Sequence, residues 1–380
     1  MPRFRVMISF GTRPEAIKVA PVIKELQRHR DKFHTIVVVT AQHRQMLDQV
    51  LNIFKIVPDY DLNIMTKRQS LSDVVIKTLR GLEPLLKQER PDMLLVQGDA
   101  SSAFASALAG YYQQIPLGHI EAGLRTYDKY APFPEEINRR CISAIADIHF
   151  APTPRARENL IAEGIDHSRI YVTGNTVIDA VKQILSRDQI SSCRTKNIRL
   201  LLVTLHRRES FGAPLKGICQ AMATIVRRYP DVRMVIPVHP NPQVSKTIND
   251  MLGKEKQIRL IEPVEYPDFL ALMKQAYLIL TDSGGIQEEA PMLGKPVVIL
   301  REKTERVEAL EYGTAVLAGV EPEQIVKVTE CLLNNINTYR QMVRRCAVFG
   351  DGKAAIRIRK ILLKWLASID TGYNSSKLWK

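Results

Sequence analysis

The stretch Tyr277-Leu278-Ile279-Leu280-Thr281-Asp282-Ser283-Gly284-Gly285-Ile286-Gln287-Glu288-Glu289 decides how this chain is read. Its first five residues form an unbroken, largely apolar run, the pattern of a strand buried on both faces. Two glycines follow, and then a helical pattern over 286–293. Strand, glycine turn and helix make one βα unit of a parallel sheet. In open α/β sheets, ligands bind beyond the carboxyl ends of the strands. Gly284 and Gly285 let backbone N–H groups approach a phosphate, and the helix N-terminus favours negative charge there. Ser283 adds a hydroxyl. Glu289, four residues after Gly285 on the same helix face, can accept hydrogen bonds from ribose hydroxyls. The plain alternative is a Gly-Gly turn before an acidic helix.

The same rhythm runs outward in both directions. Predicted strands lie at 4–10, 34–40, 93–97, 116–120 and 148–151, and again at 199–205, 232–238, 257–261, 277–281 and 296–300. Helical patterns fall between them, for example at 14–28 and 213–228. The polar stretch 191–197 reads as a linker. The expected architecture is therefore α/β, with two Rossmann-like βαβ domains facing across a cleft. Residues 1–170 form the first and 171–358 the second. A final helix, around 353–367, crosses back to the first domain and precedes a tail, so that 359–380 return there.

Composition fits this reading. At 380 residues the chain can bury two α/β cores. No apolar run approaches a membrane span, and Met1-Pro2-Arg3-Phe4-Arg5 leads directly into a strand without a signal-peptide pattern. The five cysteines are scattered without C-x-x-C or zinc spacing, as in reduced cytoplasmic proteins. The formal charge of +14 invites a nucleic-acid reading. Yet Lys and Arg are spread along the chain, without aromatic-basic interleaving. A phosphorylated small substrate explains the inward-facing arginines better.

Other strand ends carry chemistry. Phe10-Gly11-Thr12-Arg13-Pro14-Glu15-Ala16-Ile17-Lys18 is a second strand–turn–helix unit. Arg13 at the helix mouth and Lys18 about one turn in could face one anion. Gln97-Gly98-Asp99 puts Asp99 beyond a buried strand, as a helix cap or a catalytic acid. Gly118-His119-Ile120-Glu121-Ala122-Gly123-Leu124-Arg125, followed by Phe133-Pro134-Glu135-Glu136-Ile137-Asn138-Arg139, sets carboxylates and arginines on a turn-rich segment. Paired carboxylates suggest proton traffic and the arginines suggest an anionic substrate. Leu205-His206-Arg207-Arg208 makes a phosphate-facing imidazole credible, and Val238-His239-Pro240 closes another strand.

Together these residues resemble the bacterial non-hydrolysing UDP-N-acetylglucosamine 2-epimerases. The resemblance runs from Gly11-Thr12-Arg13-Pro14-Glu15 to Thr304-Glu305-Arg306 and includes Thr40-Ala41-Gln42-His43-Arg44-Gln45-Met46, Gly174-Asn175-Thr176 and Asp282-Ser283-Gly284-Gly285. It implies a fold like that of GT-B glycosyltransferases and interconversion of UDP-N-acetylglucosamine with UDP-N-acetylmannosamine, with no cofactor and no metal. The implied chemistry is loss of the C2 proton and UDP to give 2-acetamidoglucal, then readdition. By motif position Asp99, Glu121, Glu135 and His206 are the implied catalytic groups. Arg13, Lys18, Ser283, Gly284, Gly285, Glu289 and Arg306 would hold the substrate, with Val264 and Phe269 at the uracil. Gln42, Gln45, Arg68, Arg208 and His239 match a site for a second UDP-N-acetylglucosamine acting as allosteric activator. The resemblance further implies a cytoplasmic homodimer supplying surface-polysaccharide or teichoic acid precursors, with no nucleic acid and no membrane insertion. The chain departs from the family at Val307, where proline is frequent after the arginine. Other readings are a hydrolysing epimerase that releases UDP and N-acetylmannosamine, a glycosyltransferase, or a UDP-sugar sensor without turnover.

Overall fold

The structure is a computed structural model that describes residues 3–42, 44–66, 69–186, 198–207, 211–343 and 347–370. Two parallel sheets organise them. The first contains β1 (Phe4–Phe10), β2 (Phe33–Val39), β3 (Tyr60–Asp61), β4 (Met93–Gln97), β5 (Leu117–Ile120), β6 (Ile148–Ala151) and β7 (Ile170–Val172) in the order β3-β2-β1-β4-β5-β6-β7. The second contains β8 (Arg199–Thr204), β9 (Val232–Pro237), β10 (Ile258–Ile261), β11 (Leu278–Thr281), β12 (Val297–Ile299) and β13 (Ala315–Leu317) in the order β10-β9-β8-β11-β12-β13. Both orders run outward in one direction and then reverse, so each sheet has a topological switch point, between β1 and β4 and between β8 and β11. Helices connect the strands, and their apolar faces close the cores. Leu215, Ile218, Met222 and Ile225 of the helix Ala213–Arg228 pack with Leu201, Val203, Met234 and Leu280 of the second sheet. In the first sheet, Leu82 and Leu86 of the helix Leu71–Glu89 join Met7, Leu94 and Val96.

All ten expected strands form, three with the expected bounds and the others with ends shifted by one residue. Three more, β3, β7 and β13, were not expected. Each has two or three residues and lies at a sheet edge, where no apolar run marks it.

The chain divides into two compact units, Met1–Ala180 with the segment from Phe349 onward, and Val181–Val348. The division thus falls later than the expected 170, and the return begins earlier than the expected 359. The cause is local. β7 pairs with β6 in the first sheet, and the helix Thr176–Leu185 follows it. Asp179 on that helix accepts the backbone N–H groups of Ala354 (3.1 Å) and Ala355 (3.0 Å), capping the helix Ala354–Asp370. That helix lies against Arg13–Arg28, with Arg359 Nε 2.9 Å from Glu25 Oε1. Among the described residues no helix is long and apolar enough to cross a membrane.

Candidate active site

In the first unit two of the expected carboxylates, Asp99 and Glu121, follow strand ends, and Glu135 begins a helix. Glu121 follows β5 in left-handed backbone geometry, φ 68°. Its carboxylate is buried, with Lys18 Nζ 2.7 and 2.6 Å from its two oxygens, and Gln97 Nε2, at the end of β4, also donates to it. Lys18 was expected to face an anion. Here its ammonium neutralises Glu121, a pairing that a buried carboxylate needs.

Asp99 follows β4 by two residues. Arg139 lies 2.8 Å from its carboxylate, and Asn138 Nδ2 donates to its backbone carbonyl at 2.9 Å. Glu135 is the first residue of the helix Glu135–Ile145, where the dipole favours a carboxylate. Glu136 turns inward and accepts the N–H groups of Thr126 and Tyr127, both at 3.1 Å, which fixes the preceding loop. Two arginines of this segment pair with carboxylates of the chain. Arg139 serves Asp99, and Arg125 is buried against Glu163 at 2.9 and 2.7 Å. Arg13 starts its helix at the mouth of the Gly11 turn and is half-buried. Glu15, two residues on, forms a capping box. It accepts the N–H groups of Gly11 (3.1 Å) and Thr12 (2.7 Å), and burial pushes its carboxyl up to about 7 against these hydrogen bonds.

The second unit repeats this logic at its own switch point. His206 follows β8 and Asp282 follows β11. The fully buried Asp282 carboxylate accepts the N–H groups of His206 (2.9 Å) and Arg207 (2.9 Å). His206 Nδ1 lies 2.9 Å from the same carboxylate. Burial alone would raise Asp282. The His206 imidazole and the backbone donors outweigh it and hold the carboxyl below its ordinary range. This network assigns the proton to Nδ1 and turns Nε2 outward, the orientation that a histidine acting on a ligand needs. His239 stacks beside His206 with ring centroids 6.5 Å apart.

Ser283 occupies the N-cap position of the helix Gly284–Met292 and makes no side-chain cap hydrogen bond. A Cβ at Gly284 would come within 2.9 Å of the Arg306 guanidinium, so only glycine lets that arginine lie over the turn. Arg306 donates from Nε to Glu288 at 2.9 Å and also pairs with Glu305. Glu289 is buried on the same helix. The loop at the Val307 departure is held without proline. Thr304 Oγ1 donates to Gln287 at 2.6 Å and accepts the Arg306 N–H at 3.1 Å. Val264 and Phe269 are half-buried, after β10 and on the helix Tyr266–Gln275.

Of the expected activator residues, Gln42 follows β2 and the backbone of Gln45 lies in the helix Arg44–Phe54. Arg68 and Arg208 lie outside the described residues. Among the described residues, no three His, Cys, Asp or Glu side chains are grouped to hold a metal ion. The sequence reading missed the roles of Gln97, Arg139 and Asp282. The first two stood beside expected site residues in the chain, and Asp282 stood in the quoted glycine motif.

Comparison with known proteins decides the family. The family model for UDP-N-acetylglucosamine 2-epimerase matches residues 24–363. This chain belongs to the UDP-N-acetylglucosamine 2-epimerase family. It is 48% identical over 369 residues to the UDP-N-acetylglucosamine 2-epimerase of Escherichia coli K12, covering 94% of this chain and 98% of that one. It is similar to the crystal structure of UDP-GlcNAc 2-epimerase from Neisseria meningitidis bound to UDP-GlcNAc, with a TM-score of 0.92 and 46% identity over 95% of this chain and 100% of that one. A glycosyltransferase of kitacinnamycin, at 15% identity, shares the fold alone, with a TM-score of 0.64 over 95% of this chain and 99% of that one. The fold class of this 2-epimerase family member is thus two Rossmann-like α/β units of the GT-B type.

Proposed function

We propose that this member of the family interconverts UDP-N-acetylglucosamine and UDP-N-acetylmannosamine without releasing the sugar. The observation that carries the reading is Glu121. It is a buried carboxylate at a strand end, set by Lys18 and Gln97, in a chain whose family acts at C2 of this sugar nucleotide. A carboxylate takes the C2 proton, the C2–H electron pair becomes the C1–C2 double bond, and the C1–O bond breaks with its electrons leaving on UDP. A second carboxyl returns a proton to the opposite face of C2 while UDP oxygen adds back to C1. Atoms and charge balance, and no redox step is needed. Asp99, Glu121 and Glu135 supply these carboxyls. Inversion calls for groups on two faces, since one base returning its own proton would regenerate substrate.

The departing UDP needs fixed positive ends. Support comes from the helix mouth at Gly284-Gly285 and from His206, whose ring Asp282 orients. UDP that stays bound is what separates this reaction from hydrolysis.

The test is an NMR time course with UDP-N-acetylglucosamine in D₂O. The proposal expects UDP-N-acetylmannosamine with deuterium at C2 and UDP still attached. Stoichiometric free UDP with N-acetylmannosamine would overturn it in favour of the hydrolysing reaction.

A further inference from the structure

His119 stands inside the first sheet, on β5, fully buried. Its register partner on β6 is His149, also fully buried. A buried imidazole is costly unless its nitrogens are bonded, and an apolar side chain would fill this core more cheaply. His119 makes one bond of consequence: Nε2 lies 2.8 Å from the backbone carbonyl of Gly98. Its other nitrogen, Nδ1, is buried without a hydrogen-bond partner. The acceptor is a carbonyl, so Nε2 carries the proton.

Gly98 immediately precedes Asp99. It has φ 68°, a left-handed conformation that bends the chain away from β4. Its N–H donates to Ile120 O at 3.0 Å. Both polar groups of this peptide turn are therefore held by β5, one by backbone and one by His119. The next carbonyl, that of Asp99, is held by Asn138, and the Asp99 carboxylate by Arg139. Removing the His119 bond would free the one point where the turn departs from the strand.

We propose that His119 is a positioning residue that sets Asp99 for proton transfer by fixing the Gly98 carbonyl. The inference rests on the catalytic reading of Asp99 given above. Burial pushes the His119 imidazole down to about 4, with nearby Arg125 and Arg139 adding to the effect and the Gly98 bond and Asp99 opposing it. It therefore remains a neutral donor across the neutral range.

Steady-state kinetics with UDP-N-acetylglucosamine compares wild type, His119→Phe and His119→Gln. Phenylalanine fills the volume and cannot donate, whereas the glutamine amide can reach Gly98 O. His119→Phe is expected to lower kcat by about 100-fold, the effect of displacing a catalytic group by about 1 Å. KM and the Kd for UDP should stay within a few-fold, because nucleotide contacts are untouched. His119→Gln should recover most of kcat. Full activity in His119→Phe, or equal loss in both variants, overturns the proposal. If His119→Phe does not fold, His119→Asn replaces it. Its amide falls short of Gly98 O, so low kcat in Asn against recovery in Gln supports the proposal, and equal values overturn it. A wild-type chain without turnover overturns the function reading itself, and this inference with it.

Discussion

Replacing Glu15 with glutamine should make the first unit more resistant to unfolding as pH rises, the reverse of what losing a cap is usually thought to do. Glu15 accepts two backbone N–H groups, yet its carboxyl is raised from 4.5 to about 7 because burial dominates. The sign follows from linkage. Below pH 4.5 the carboxyl is protonated in both states, and its contribution is fully present. Between 4.5 and about 7 the unfolded chain ionises while the folded chain does not, so stability is lost as pH rises. The difference of about 2.5 units corresponds to about 3 kcal/mol, at about 1.4 kcal/mol per unit. Glutamine cannot ionise, and its amide oxygen can accept the Gly11 and Thr12 N–H groups. The variant should therefore gain about 3 kcal/mol over wild type between pH 4.5 and 8, whatever its constant offset. Urea unfolding followed by tryptophan fluorescence measures this directly. Trp365 lies in the first unit, and the sequence 181–348 contains no tryptophan. A difference between wild type and variant that stays flat across this range, or falls with pH, refutes the argument.

Two further outcomes follow from the same geometry. Asp282→Asn should lower kcat by on the order of 10²-fold with KM little changed, because the amide no longer holds the His206 Nδ1 proton; steady-state turnover that matches wild type would contradict the orienting role. Asp179→Ala leaves the Ala354 and Ala355 N–H groups without their acceptor. It should destabilise the first unit by about 1–2 kcal/mol, seen as a lower urea midpoint by the same fluorescence, and an unchanged midpoint would show the cap to be idle.

How much of this was legible in the sequence depended on what kind of signal each feature leaves. Buried strands such as 93–97 and 277–281 write themselves as apolar runs, and the glycine turns after β1 and β11 mark strand-to-helix corners. Edge strands leave no such trace: Tyr60–Asp61 is two polar-edged residues whose pairing depends on β2 lying alongside. The catalytic candidates could be named because their motifs are local. Their partners could not be, because Lys18 and Glu121 are 103 positions apart and His206 and Asp282 are 76 apart. Arg125 shows the limit clearly. Beside Glu121 in sequence it looked like an anion holder, and only the position of Glu163 after its helix turns it into a structural ion pair.

The return of the chain at Phe349 has a consequence for the order of events during synthesis. Val181–Val348 is one continuous segment and can complete its sheet as soon as it has emerged. The first unit, although made earlier, must wait for Ala354–Asp370 to come back, bring Arg359 to Glu25 and offer its first N–H groups to Asp179. Until then the helix Arg13–Arg28, which bears Arg13 and Lys18, lacks its outer cover. The unit whose first strands are made early is thus finished only after the other unit has been made in full.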